Sequence, residues 1–174
     1  METATAKSTN IANGLIGELQ HEAETTRKVL ERIPVEKFDY KPHEKSMTMI
    51  RLAAHVAEMV NWITVTCTKD GLDFAAGDYT PYEPKTTAEL LEFHNKNVAE
   101  AIEALKNTSD EAMHQDWTLK NGETVYFTMS RIATLREMCF NHIWHHRGQL
   151  SVYLRLNDIP VPSMYGPSAD EGQM

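Results

Sequence analysis

The chain has 174 residues, 41% of them apolar, which is one domain's worth of sequence with enough hydrophobic side chains for a sizeable core. Its 17 basic and 25 acidic residues give a net charge of -8 with no basic cluster, which argues against nucleic acid or an anionic membrane as partner and favours a small molecule or a protein. No apolar run is long enough to span a bilayer, Met1–Asn10 lacks the apolar stretch of a signal peptide, and Cys67 and Cys139 fall within helical patterns, so a cytoplasmic protein with reduced thiols is expected.

In chain order, Ala12, Ile16, Leu19, Ala23, Thr26, Leu30 and Ile33 alternate spacings of four and three, the stripe of an amphipathic helix that Pro34 stops. A polar connection from Val35 to Lys45 follows, and Ser46 or Thr48 caps the next helix. The second stripe is Leu52, His55, Met59, Trp62 and Thr66, which puts His55 at a core position. The segment Asp70 to Lys85 holds two glycines and two prolines and is long for a bundle connection, so it is expected to pack over an end or edge. Thr86 or Thr87 opens a third helix with the stripe Leu91, His94, Val98, Ile102 and Leu105, and His94 is a second lone histidine facing inward.

The period then changes. Trp117-Thr118-Leu119-Lys120 and Glu123-Thr124-Val125-Tyr126-Phe127 flank Asn121-Gly122, which predicts a small β-hairpin with a type I′ turn. Ser130 caps a fourth helix over Arg131 to Asn157, and the proline-rich Ile159–Pro167 is apolar enough to lie on the bundle. Four amphipathic helices with such seams imply an all-α, antiparallel four-helix bundle, whose interior is a usual place for metal sites built from facing helices.

Chemistry concentrates in Asn141-His142-Ile143-Trp144-His145-His146-Arg147-Gly148-Gln149. His142 and His146 are four apart and share one helix face, while His145 points elsewhere, about 60° off that line. In heptads, Leu135, His142, Gln149 and Leu156 fall on one core position and Cys139, His146 and Tyr153 on the other, so the pair is expected to project inward. Two buried neutral imidazoles are costly unless their nitrogens are satisfied, by a metal or by hydrogen bonds. His55 on the second helix supplies a third imidazole. Three histidines make an open, reactive site suited to zinc, nickel, iron or copper rather than calcium or magnesium. Around it, Cys139 is a buried thiol or a further lining group, and Glu58, one turn after His55, either accepts a proton or holds a ligand ring, or is solvated surface, which is the more frequent case for a glutamate there. Trp144 and His145 flank the ligands, and Arg147 and Gln149 either orient them or tie helices together.

Arg51-Leu52-Ala53-Ala54-His55-Val56-Ala57-Glu58-Met59, followed far downstream by His142-Ile143-Trp144-His145-His146-Arg147-Gly148-Gln149, resembles the DinB-like, damage-inducible family of bacterial metalloproteins, over nearly the whole chain and including Met164-Tyr165-Gly166-Pro167-Ser168-Ala169-Asp170-Glu171. The resemblance implies an up-down-down-up bundle, His55, His142 and His146 as ligands of a divalent transition metal (zinc or nickel foremost), and a homodimer. Relatives of that kind include metal-dependent transferases of low-molecular-weight thiols. Two functions follow as expectations: an enzyme that passes a thiol or water to a small electrophilic substrate, or a non-catalytic metal-binding stress-response protein. Ile63, Val65 and Ile143, beside the seam, are expected to leave apolar surface for a homodimer to cover.

Overall fold

The computed structural model describes residues 9–77 and 79–172. The opening segment read for a signal peptide lies outside the described residues except for its last two positions. Helix α1 (Asn10–Leu30) ends four residues before Pro34, whose extended backbone starts a short 3₁₀ turn at Val35–Lys37. Thr48, rather than Ser46, caps α2 (Met49–Thr68) by accepting from the Arg51 amide. After strand β1 (Gly71–Asp73), Thr86 caps α3 (Thr87–Lys106) through the Glu89 amide. A one-turn α4 (Asp110–Met113) leads into β2 (Asp116–Asn121) and β3 (Thr124–Ser130). Ser130 caps α5 (Arg131–Thr134), a π-helical segment spans Leu135–Phe140, and α6 (Asn141–Arg155) completes the helical part.

The structure is mostly helical, with α2 at its centre, packed on α3 and on α6, and with α1 against α3. One core cluster gathers Leu15, Leu19, Met59, Ile63, Leu105 and Phe140, and a second gathers Leu30, Met49, Leu52, Leu90 and Leu154. The expectation of four helices plus a hairpin therefore needs correction in its count, because α4 and α5 are separate short segments and the sheet has three strands. No helix among the described residues is long and apolar enough to cross a membrane.

The third strand comes from the long connection: β1 pairs in parallel with β2, and β2 pairs antiparallel with β3. Asn121 pairs with Thr124, so the corner residues are Gly122 and Glu123 rather than Asn121 and Gly122. Only Gly122 has positive φ (59°) there, which excludes the expected type I′ turn and meets the requirement of type II′. Asp73 of β1 fixes the corner, its Oδ1 accepting from the Gly122 amide at 2.8 Å.

Two stripes also shift. In α3 the fully buried face is Leu90, His94, Asn97, Ala101 and Leu105, whereas Leu91, Val98 and Ile102 lie half-buried at its edge. In the last helix the π segment, where the Asn141 amide bonds back five residues to the Arg136 carbonyl, adds the equivalent of one residue to a turn. The core phase moves from the predicted His142, His146 and Gln149 to Ile143, Arg147, Leu150 and Leu154, and it leaves Gln149 and Leu156 exposed. Ile143 is consequently a core residue, and Ile63 of α2 is buried too, whereas Val65 stays half-buried.

Gly71 is held where a side chain cannot fit, since a Cβ there would stand 2.5 Å from the Thr118 carbonyl oxygen. Gly71→Ala should separate β1 from β2 and lower stability by about 2 kcal/mol. Equilibrium denaturation checks this, and an unchanged midpoint would show that the β1–β2 pairing carries no stability.

Candidate metal centre

Helix α2 supplies His55 and α6 supplies His142 and His146, one turn apart. The phase shift of the π segment places that pair on the rim of the core, half-buried, rather than inside it. His55 Nε2 stands 3.4 Å from His142 Nε2, and His142 Nε2 stands 2.8 Å from His146 Nε2. The His55 ring meets the other two nearly edge-on, at centroid distances of 5.2 and 4.8 Å. One nitrogen from each of the three lies within 4.8 Å of the others, an arrangement that could hold a metal ion.

Each ring also has a contact of its own outside the cluster. His146 Nδ1 lies 2.7 Å from Gln149 Oε1, His142 hydrogen-bonds the backbone of Met138, and His55 Nδ1 faces Glu58 Oε2 at 3.6 Å. Gln149 Oε1 favours the N–H of His146 on Nδ1, which leaves its Nε2 free to accept, and the three Nε2 atoms face one another as the ligands of one ion would. Tetrahedral zinc with bonds of about 2.0–2.1 Å needs ligand nitrogens about 3.3 Å apart, which the His55–His142 pair meets at 3.4 Å while His142 and His146 stand closer, at 2.8 Å. The donor set fits a transition ion. Burial first, and then the neighbouring imidazoles, push His142 down to about 4, and burial likewise lowers His146, so both rings are neutral and free of proton competition near pH 7.

Glu58 departs most from its sequence reading. It is buried, not solvated, and it collects Arg51 Nη1 and Nη2 at 3.1 and 3.0 Å, Tyr79 Oη at 3.0 Å and the Tyr82 amide at 2.5 Å. Burial alone would raise its carboxyl, but the contacts with His55, the Tyr82 amide and Arg51 outweigh that and hold it below its ordinary value. The 3.6 Å separation from His55 is longer than a full hydrogen bond, and His55 Nδ1 has no other partner, so the contact is electrostatic. A sequence signal existed, because Arg51, His55 and Glu58 at i, i+4 and i+7 share one helix face. Tyr79 and Tyr82 had none, being brought in by the fold of the connecting segment.

The remaining candidates separate cleanly. Gln149 orients His146, whereas Arg147 ties helices, bonding the Glu22 carbonyl and Thr26 Oγ1 of α1 at 3.1 and 3.0 Å. Cys139 is fully buried 3.9 Å from Thr66 Oγ1, and burial pushes its thiol up to about 12, so it is an inert core thiol outside the histidine cluster. Trp144 packs on Phe140, and His145 is exposed beside His146. His94 is buried in α3, outside the histidine cluster, and among the described residues neither ring nitrogen makes a full hydrogen bond.

The model of the DinB family matches residues 6–173. The chain belongs to the DinB family. It is 26% identical over 155 residues to the uncharacterized protein YrdA of Bacillus subtilis (strain 168), covering 87% of this chain and 86% of that one. Among solved structures it resembles a DinB-like protein from Bacillus cereus ATCC 10987 (TM-score 0.69, 22% identity, 88% of this chain and 97% of the other). It likewise resembles the DinB-like protein YjoA from B. subtilis (TM-score 0.68, 18% identity, 87% and 96%). At these identities the likeness shows a DinB-like fold.

In this DinB-family protein the second contact of each histidine is testable apart from any activity. Glu58→Gln keeps the shape but removes the charge facing His55, and apparent affinity for zinc or cobalt should fall about 10- to 100-fold. Competition titration against a chromophoric chelator measures it, and an affinity matching wild type would remove Glu58 from the site.

His94 gives a pH prediction. Burial pushes it down to about 4 from 6.5, so between those values the unfolded chain binds the extra proton. Its stabilising contribution is complete above 6.5 and is lost as pH falls toward 4, which amounts to roughly 2 kcal/mol at pH 5. His94→Leu should flatten the fall in metal-free stability between pH 7 and pH 5, read by urea denaturation. Parallel pH profiles for the two proteins would contradict this assignment.

Proposed function

We propose that the chain is a metal-dependent enzyme in which His55, His142 and His146 hold one divalent transition ion, zinc or nickel, and a low-molecular-weight thiol is passed to a small electrophilic substrate. The observation that carries this reading is the convergence of three imidazole Nε2 atoms from two helices, with Gln149 beside the outer nitrogen of His146 and Glu58 beside that of His55. Among the described residues the cluster contains three ligands and no fourth. Structural zinc sites usually close with four protein ligands, whereas three histidines leave a position for a reactant. A bound divalent ion supplies Lewis acidity there, lowering the pKa of a thiol or water toward neutrality.

The protein's own groups do the positioning. Gln149 fixes the His146 ring, Glu58 faces the His55 ring, and Arg51 with Tyr79 keeps that carboxylate from turning away. The half-buried rim position gives a small reactant access while the second core cluster, through Leu52 and Tyr153, limits water on one side. Hydrolysis of a small electrophile is the second reading, favoured by the same incomplete ligand set. No cysteine of the chain is placed to serve as nucleophile in place of an external thiol, because burial raises both Cys67 and Cys139.

Elemental analysis of purified protein should return about one transition-metal ion per chain, lost in the triple alanine variant of the three histidines. Thiol consumption against a panel of epoxides and alkyl halides should be metal-dependent, rise with pH through the nucleophile's pKa and collapse in His146→Ala. Activity that survives complete metal removal would overturn the mechanism, and full metal occupancy in the triple variant would overturn the ligand assignment.

A further inference from the structure

Beside the triad, and distinct from the ring edges that converge, runs a groove of 410 Å³ between the connection preceding α2 and the outer face of α6. Its walls are mainly apolar: Met47 and Pro42 from the connection, Leu52 from α2, and Val152 and Tyr153 from α6. His146 is one of its lining residues, so the groove shares a side chain with the histidine cluster. Two of these walls are exposed apolar side chains, Met47 at 40% and Val152 at 55%, surface that a folded chain has no internal reason to leave in water. The wall is fixed rather than collapsible, because Tyr153 Oη donates to the Met47 carbonyl at 3.1 Å and Tyr40 packs edge-on against the Tyr153 ring at 6.1 Å.

Charge narrows the ligand further. Lys45 is the one charged side chain among the described residues that line the groove, in a chain whose net charge is -8. Apart from it the polar groups are Ser46, Gln149 and the neutral ring of His146, and Gln149 is already engaged with that ring. A preformed apolar cleft of this size with a few polar groups at its ends suits a small organic molecule rather than a peptide or a second helix.

We propose that this groove is the substrate's binding site, and that the substrate class is a small molecule with an apolar chain or ring reaching some way from its reacting end, its tail uncharged or carrying one anionic group. This inference rests on the metal-dependent reading above, since it places the reacting end at the histidine cluster. Met47, Leu52, Val152 and Tyr153 then select for length and hydrophobicity, and Lys45 selects against a cationic tail.

Hydroxamates test this without turnover, since their head group binds a metal and their tails can be varied. On zinc-loaded protein, calorimetry should show octanohydroxamate binding at least about ten-fold tighter than acetohydroxamate, because the longer tail alone can bury methylenes in the groove. Val152→Glu and Met47→Glu, at exposed positions that the fold tolerates, should shrink that ratio toward unity. Suberic acid monohydroxamate should bind better than 6-aminohexanohydroxamate, and Lys45→Glu should reverse their order. Acetohydroxamate binding with no gain from the octanoyl tail would overturn the groove proposal and leave the metal reading standing. A ratio unmoved by both glutamate variants would do the same, by placing the tail elsewhere. If neither zinc nor nickel loads, both readings fall together, and a loaded ion that binds neither probe overturns the groove proposal alone.

Discussion

The direction in which α6 presents its side chains depends on the π segment Leu135–Phe140, and the site depends on that direction. A helix entering from α5 with uninterrupted phase would carry His142 and His146 into the apolar interior, where neutral imidazoles without partners are costly and a hydrated ion has no entry. The added residue rotates the pair to the rim and hands the interior positions to Ile143, Leu150 and Leu154. The same apolar packing that fixes those three residues therefore fixes the histidines, half in and half out of water. Such a segment gives up regular hydrogen bonding over one turn, which is tolerated where the packing around it over-determines the backbone. Leu135, Cys139 and Phe140, all buried, provide that packing.

Rigidity on the other side of the site comes from charge. Glu58 is a carboxylate with almost no exposure, and an isolated one would be protonated or expelled. Its environment is instead crowded with donors from three directions: the guanidinium two turns earlier on α2, the Tyr79 hydroxyl and the Tyr82 amide. Two of these belong to the long segment between β1 and α3. That segment therefore has a reason to be long, since it must leave the sheet, cross the open side of α2 and deliver a hydroxyl and an amide to one carboxylate. Tyr82 is held at its far end by stacking on Phe93 of α3 at 4.0 Å. Displacing the segment would leave a buried charge short of partners, so the position of the loop and the charge facing His55 are energetically one feature.

Much of this was legible in the amino-acid order because helical period and imidazole chemistry are both strong signals. The stripe through Leu52, His55 and Met59 placed His55 on the inward side of the second helix, and the four-residue spacing of His142 and His146 put them on one face, independent of any heptad phase. What was not legible had no local code. A π turn is a choice of hydrogen-bond partner that Leu135–Phe140 do not advertise by composition, so the heptads ran through it and misassigned Gln149 and Leu156 to the core. A three-residue strand such as β1 is shorter than any alternation can reveal, and its pairing with β2 spans more than forty residues. The solvated reading of Glu58 failed because a single glutamate on a helix is solvated in most proteins, and two of the donors that retain it, the Tyr79 hydroxyl and the Tyr82 amide, come from a segment distant in sequence.

The core position that the phase shift gives to Arg147 is the least expected consequence, because an apolar residue would be the ordinary occupant. Arg147 is 1% exposed and lies directly after a metal-candidate histidine, where an unpaired cation would repel an incoming ion. It is not unpaired. Glu22 reaches it at 2.6 Å, the Glu22 carbonyl and Thr26 accept from its Nη1, and the Tyr165 hydroxyl of the C-terminal segment closes the set. Neutralised in this way, the guanidinium adds little field at the triad while it fastens α6 to α1 and to the tail. Helices α1 and α6 share little other packing, so the buried pair does work there that apolar contact does not. A leucine could fill the volume, but it would offer Glu22 and Tyr165 nothing to bind. The register between the two helices, and with it the height of His146 beside its groove, would then be held by non-directional packing alone.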